Sequence, residues 1–218
     1  MTHDIPVAFL ATSENHLAFK KFFAMLKDSN YPLQVVVCDD RVAIKAALNE
    51  VYPKAKIQLC QNHYLENFRR ILHIRTDPTY HKFFASLQKR LFQNLCDDQI
   101  VTQQLRLLMA RYGQTDKLCR AIIMEIHDRR EVLFQYLNFP NCPKDTNLIE
   151  LYNSHLQSRL KSIKGFQSFN TAKRWLNGYI IRRRTKSLTD CDIKFKKLNG
   201  YPSLFWTIKD GLDRKSVV

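Results

Sequence analysis

Leu33-Gln-Val-Val-Val-Cys38 runs straight into Asp39-Asp40, and Ala55-Lys-Ile-Gln-Leu-Cys60 follows soon after. Both are short apolar runs rich in β-branched residues, the composition of strands buried on both faces. Between them Ile44, Ala47, Leu48 and Val51 recur at helical spacing, and Pro53 stops the pattern. Upstream, a third apolar run at 5–11, IPVAFLA, reads as another strand. Ser13 is then a candidate cap for a helix whose stripe is Phe19, Phe22, Phe23 and Leu26. Strand, helix, strand, helix, strand within sixty residues implies an α/β layer with parallel neighbours. Asp39-Asp40 falls just past the carboxyl end of a strand, where open α/β sheets carry their functional groups.

Downstream the pattern changes. From Gln61 to about Asn138 strand signals vanish. Phe84, Leu87, Leu91 and Leu95 share a helical stripe, as do Val101, Leu105, Leu108 and Tyr112, with Gly113 as a helix end. A further helix is expected from about Thr115 to His127. Phe139-Pro-Asn-Cys-Pro-Lys-Asp145 is a break. The helix after it, capped by Asp145 or Thr146, aligns Leu148, Tyr152, Leu156 and Leu160. Asn147, Glu150, Ser154, Gln157 and Lys161 lie on its opposite side, and Gly165 ends it. A last helix turns Ala172, Trp175, Leu176, Tyr179 and Ile180 inward and finishes in Arg182-Arg183-Arg184 and Lys186. The tail carries Lys194, Lys196, Lys197, Tyr201, Phe205 and Trp206.

The chain has 218 residues, about one and a half typical domains, with 45% hydrophobic and 25% charged residues, which excludes a disordered chain. The apolar runs are too short for a transmembrane helix, and the first residues lack the pattern of a signal peptide. Six dispersed cysteines (38, 60, 96, 119, 142 and 191) read as reduced thiols. Lys and Arg number 35 against 20 Asp and Glu, a net charge of +15. From Glu150 onward there are 15 Lys and Arg against 5 Asp and Glu, a net of +10 in the last 69 residues. Such a balance points to a polyanionic partner, nucleic acid first, contacted by the C-terminal third.

Three segments together resemble the transposases of the Mutator-like superfamily and their bacterial insertion-sequence relatives. The first is Val35-Val-Val-Cys-Asp39-Asp-Arg with Ala43-Ile-Lys-Ala-Ala47 and the Pro53-x-Ala55 step. The second is Gln58-Leu-Cys60-Gln-Asn-His63 with Asn67 and Arg69. The third is Thr146-Asn147-Leu-Ile-Glu150 with Asn153, Leu156, Arg159-Leu160-Lys161 and Gly165-Phe166. The resemblance covers most of residues 5–185. It implies an RNase H-like catalytic core with an all-helical insertion between the second catalytic Asp and the Glu. Residues 1–63 are then the first part of that core, 64–140 the insertion, 141–185 the Glu helix and last core helix, and 186–218 a basic tail. Asp39 takes the second catalytic position and Glu150 the third, and both become ligands of Mg²⁺ or Mn²⁺. Cys60 and His63 fill the family's C-x-x-H element.

The resemblance also implies double-stranded DNA as partner, as terminal inverted repeats and target, and a homo-oligomer that joins two ends. The location expected is the cytoplasm with the nucleoid in a prokaryote, or the nucleus in a eukaryote. The family's first catalytic Asp precedes the run at 5–11, and Asp4 is too close to that run to match it comfortably. The expectation is therefore a truncated, degenerate or split copy, weak or inactive as a strand transferase. The alternative is a non-catalytic basic DNA-binding protein derived from a transposase.

Each residue keeps a plainer reading. Asp39 could be a strand-end helix cap and Glu150 a solvated helix glutamate. Cys60 and His63 have half the spacing of a zinc site, with Cys38 and His73 as distant candidates only, and packing near the active site is the reading preferred. Arg182, Arg183, Arg184 and Lys186 could be a solvated helix end, but their density, together with Lys161 and Lys164, points to phosphate contacts.

Overall fold

The computed structural model describes residues 4–209 apart from 94, 96, 140 and 192 and the side chain of Lys194. Cys96, Pro140 of the break and the tail beyond residue 209 therefore lie outside the described residues. The chain forms two units interleaved in sequence. The first holds residues up to 33, 43–53 and from 148 onward; the second holds 34–42 and 54–147.

The second unit contains the sheet. β1 (Val35–Cys38) and β2 (Lys56–Leu59) pair in parallel, in register from Val35 opposite Lys56 to Cys38 opposite Leu59. The α/β expectation holds at this level: a largely helical chain with a small parallel sheet. α2 (Val42–Val51) links the two strands, as parallel pairing requires a crossover. Beyond β2 come α3 (Gln61–Ile71), α4 (His81–Leu91) and α5 (Asp98–Leu108). α5 runs on into a π-helical turn, Met109–Gly113, where a Cβ on Gly113 would run into the Met109 sulfur. α6 (Lys117–Asp128) and the short α7 (Arg130–Leu133) follow. Asp97 and Asp116 cap α5 and α6 by accepting from the backbone N–H of Ile100 and Cys119.

The stripes on these helices meet in one core. Leu59, Phe68, Leu72, Leu87, Leu91, Val101, Leu108, Ile123, Ile126 and Leu133 are all nearly inaccessible to water within it. Each such side chain contributes about 1.5–3 kcal/mol relative to an exposed one. Gln58 is a fully buried polar residue in this unit. Its Nε2 donates to the carbonyls of Leu59 and Leu133 at 2.7 and 2.8 Å, and its Oε1 accepts the Tyr136 N–H at 2.8 Å. Gln61 Nε2 donates to the same Leu133 carbonyl at 2.9 Å. Two amides near the end of β2 thus fasten the backbone after α7, and both polar atoms of the buried Gln58 side chain have partners.

The first unit is helical. α1 (His16–Asp28) buries Phe23 and Leu26, and α2 buries Ala47, Leu48 and Val51. Glu50 of α2 pairs with His16 and Lys20 of α1 at 2.9 and 2.6 Å. Asn15, not Ser13, caps α1: its side chain accepts from the Ala18 N–H, and Ser13 Oγ instead accepts from Asn15 Nδ2. α8 (Asn147–Lys161) has no fully buried residue; Tyr152, Leu156 and Leu160 are half-buried, while Leu148 is exposed. Gly165, after α8, has φ +132°, a backbone conformation side-chain-bearing residues rarely adopt. α9 (Phe169–Thr185) stacks Trp175 on Tyr179 and sets Tyr179 edge-on to Tyr152. α10 (Ser203–Lys209) packs on α9.

Two expectations are corrected here. The run at 5–11 is not a strand: the only sheet among the described residues is the β1–β2 pair. Apolar composition makes a segment fit a buried extended course, but a ladder also needs a neighbour that takes its backbone groups, and Pro6 has no N–H to offer. Arg184, expected with its neighbours to contact phosphates, is instead enclosed. Its side chain is 9% exposed and lies against Asp4, whose side chain is 1% exposed.

Candidate functional site

Strand register builds the site. Because Cys38 lies opposite Leu59, the next residue of each strand also comes alongside: the Cys60 N–H donates to the Cys38 carbonyl at 2.8 Å. Asp39 leaves β1 at that point, and Cys60 becomes the N-cap residue of α3. His63 lies three residues on, so Cys60 and His63 project from the same side of the helix start. His63 Nδ1 is 2.9 Å from Asp39 Oδ1, with the two side chains 48% and 39% exposed.

Cys60 is deeply buried, at 1% exposure. Thr146 donates to its Sγ twice, from the backbone N–H at 3.4 Å and from Oγ1 at 3.2 Å. One ligand atom each from Asp39, Cys60 and His63 lies within 4.8 Å of the others. Cys38 and His73 are not part of this group. Asp40 points elsewhere, to an ion pair with Arg129. Beyond it, Tyr64 Oη donates to Glu125 at 2.9 Å, and burial with that bond pushes the Tyr64 hydroxyl well above its ordinary range.

Glu150 lies in the first turn of α8 and is exposed, where a carboxylate is favoured by the helix dipole. Asp39 belongs to the second unit and Glu150 to the first. The basic residues are distributed along the first unit. Lys161 ends α8, Lys164 follows it, and Arg182, Arg183 and Lys186 stand at the end of α9; all five are exposed. The Arg183 guanidinium lies 5.6 Å from the centre of the Tyr152 ring.

Arg184 is different. Its Nε and one terminal nitrogen donate to the two carboxylate oxygens of Asp4 at 2.9 and 2.8 Å. Ser203 and Thr207 of α10 donate to the same carboxylate at 3.0 and 2.7 Å. Burial alone would raise the Asp4 pKa, but the hydrogen bonds from Arg184, Thr207 and Ser203 outweigh it and hold the group below the usual carboxylate range. Sequence reasoning missed this network. One signal was present: Leu176, Ile180 and Arg184 recur every four residues, which phases Arg184 with the apolar face.

The family model described as transposase, Mutator family, matches residues 3–184. The transposase for insertion sequence element IS256 in transposon Tn4001, from Staphylococcus aureus and from Enterococcus faecalis, is 24% identical over 176 residues in each case. Those matches cover 79% of this chain and 44% of each relative, so the chain spans about half the length of the curated relatives it matches. The family match takes in the β1–β2 pair, the helical stretch after it, the Glu150 helix and α9 through Arg184, and the chain belongs to the Mutator family of transposases.

Proposed function

We propose that this chain provides the catalytic region of a DNA transposase, which cuts and joins double-stranded DNA at element ends. The observation that carries the reading is the family match over residues 3–184, with Asp39 half-exposed just beyond the carboxyl end of β1. On this reading the two units belong to an RNase H-like core and its helical insertion, and Asp39 and Glu150 are the catalytic carboxylates.

The donor chemistry limits which groups serve a hard cation. Mg²⁺ takes one or two carboxylates and retains several waters. Asp39 and Glu150 fit that demand as carboxylates that reach solvent. Asp4, enclosed by Arg184, Ser203 and Thr207, does not. The chemistry such ions supply to phosphoryl transfer is activation of the attacking oxygen and stabilisation of the leaving one. The chain's own residues do the rest. Lys161, Lys164, Arg182, Arg183 and Lys186 hold backbone phosphates without reading bases. Joining two ends calls for two active sites, hence a homo-oligomer on DNA.

The test is cleavage of duplex DNA in Mg²⁺ or Mn²⁺ by the wild type and by Asp39→Asn and Glu150→Gln. Loss of cleavage with retained DNA binding supports the reading. A second reading, a basic DNA-binding protein without catalysis, is favoured by one observation: the last 69 residues carry 15 Lys and Arg against 5 Asp and Glu. DNA binding without metal-dependent cleavage would establish that reading instead.

A further inference from the structure

Asp39, Cys60 and His63 bring an oxygen, a sulfur and a nitrogen to one point, and we infer that they form a binding site for Zn²⁺ or a similar borderline-soft divalent metal. The inference does not rest on the transposase reading, because all three donors lie in one unit.

The ligand types select the metal. A thiolate and an imidazole are poor partners for Mg²⁺ or Ca²⁺, which want oxygen, and good ones for Zn²⁺. Tetrahedral zinc with bonds of about 2.0–2.3 Å sets its ligand atoms roughly 3.3–3.7 Å apart. The three donors here are within 4.8 Å, and the Asp39–His63 pair is already at 2.9 Å, so small side-chain rotations close the site. Asp39 and His63 are half-exposed and turn without moving the core, while Cys60 is the fixed anchor.

The surroundings of Cys60 are a second, independent indication. A sulfur at 1% exposure accepts from both the Thr146 N–H and its hydroxyl. Two donors aimed at one buried sulfur suit a metal-bound thiolate better than a thiol, and outer-shell donors of this kind orient first ligands. When the Zn–S bond forms, the thiol proton leaves to solvent. His63 binds through Nδ1 and carries its proton on Nε2. Three protein ligands leave the fourth position to water, on the side where His63 and Asp39 reach solvent. The carboxylate of Asp39 has a second oxygen, so a role toward a hard cation is not displaced.

The whole chain, stripped of metal by chelation and reloaded with Zn²⁺, tests the site by elemental analysis. Co²⁺ in place of zinc reports sulfur ligation through a thiolate charge-transfer band and intense visible bands. The expected result is one metal per chain with a tetrahedral cobalt spectrum. His63→Ala, Asp39→Asn and Cys60→Ser should each lower zinc affinity about 100-fold or more, since even outer-shell partners cost 10–100-fold. Cys142→Ser and Cys191→Ser should change nothing, because neither residue is in the group. Should Cys60→Ser unfold the core, His63→Ala still decides, as His63 is a surface residue of α3. Failure of the wild type to retain zinc or cobalt would overturn the inference, as would a folded His63→Ala that binds both like the wild type. Glu150→Gln leaves this site intact, so its effect on DNA cleavage is read separately from zinc.

Discussion

Arg184 donates two hydrogen bonds to Asp4 across 180 residues of sequence, at 2.9 and 2.8 Å, with both side chains almost wholly enclosed. This pair joins the start of the described chain to the end of α9, and Ser203 and Thr207 bring α10 onto it. Removing one partner of a buried pair leaves the other charge uncompensated, at a cost of about 3–5 kcal/mol. Asp4→Asn should therefore lower the free energy of denaturant unfolding by an amount in that range. The pH dependence has a defined sign. The folded Asp4 has a depressed pKa, so its contribution is complete above the ordinary carboxylate range and is lost as pH falls through the folded value. Acid unfolding curves should show wild-type stability dropping below about pH 4 more steeply than that of Asp4→Asn, because the amide has no proton to take up.

Gln58 and Gln61 converge on the Leu133 carbonyl but are not equivalent. Gln58 also accepts from the Tyr136 N–H, and Gln61 leaves no such donor behind. Gln58→Leu preserves volume but removes that acceptor in a buried place, which costs about 1–3 kcal/mol. Gln61→Leu leaves the Leu133 carbonyl still bonded to Gln58 and should cost less. Urea unfolding of both variants gives the order, and an equal or reversed order would refute the assignment.

The exposed cations Lys161, Lys164, Arg182, Arg183 and Lys186 should act as phosphate ligands. Replacing Arg182, Arg183 and Lys186 with Gln should weaken binding to unrelated duplexes equally. It should also flatten the dependence of log affinity on log salt by about 0.9 for each phosphate no longer neutralised. Fluorescence anisotropy across a salt series measures both. Arg184→Gln should instead act mainly on stability, because its guanidinium is already engaged by Asp4.

Much of the fold was readable from local pattern. Val35-Val-Val-Cys38 and Lys56-Ile-Gln-Leu59 announced themselves by β-branched and apolar runs, and the stripe Ile44, Ala47, Leu48, Val51 between them implied the parallel pairing that the register realises. The run at 5–11 has the same apolar composition without being a strand, since composition does not record whether a ladder partner is present. In Cys60-x-x-His63 the spacing was visible. That Asp39 joins them depends on strand register, which no single segment encodes. Asp4 carried no local sign of a partner 180 positions away, while the phase of Arg184 behind Ile180 did indicate an inward face.

Catalysis by Asp39 and Glu150 is open to a direct assay, the nicking of supercoiled plasmid DNA in Mn²⁺. If these two residues are the catalytic carboxylates of a transposase, the wild type nicks the plasmid only when the metal is present. Asp39→Asn and Glu150→Gln then each slow nicking about 100-fold or more, equivalent to roughly 3 kcal/mol of transition-state stabilisation, with unchanged affinity for DNA. A wild type that binds DNA but gives no metal-dependent nick, or variants that cut as fast as it does, would contradict that assignment.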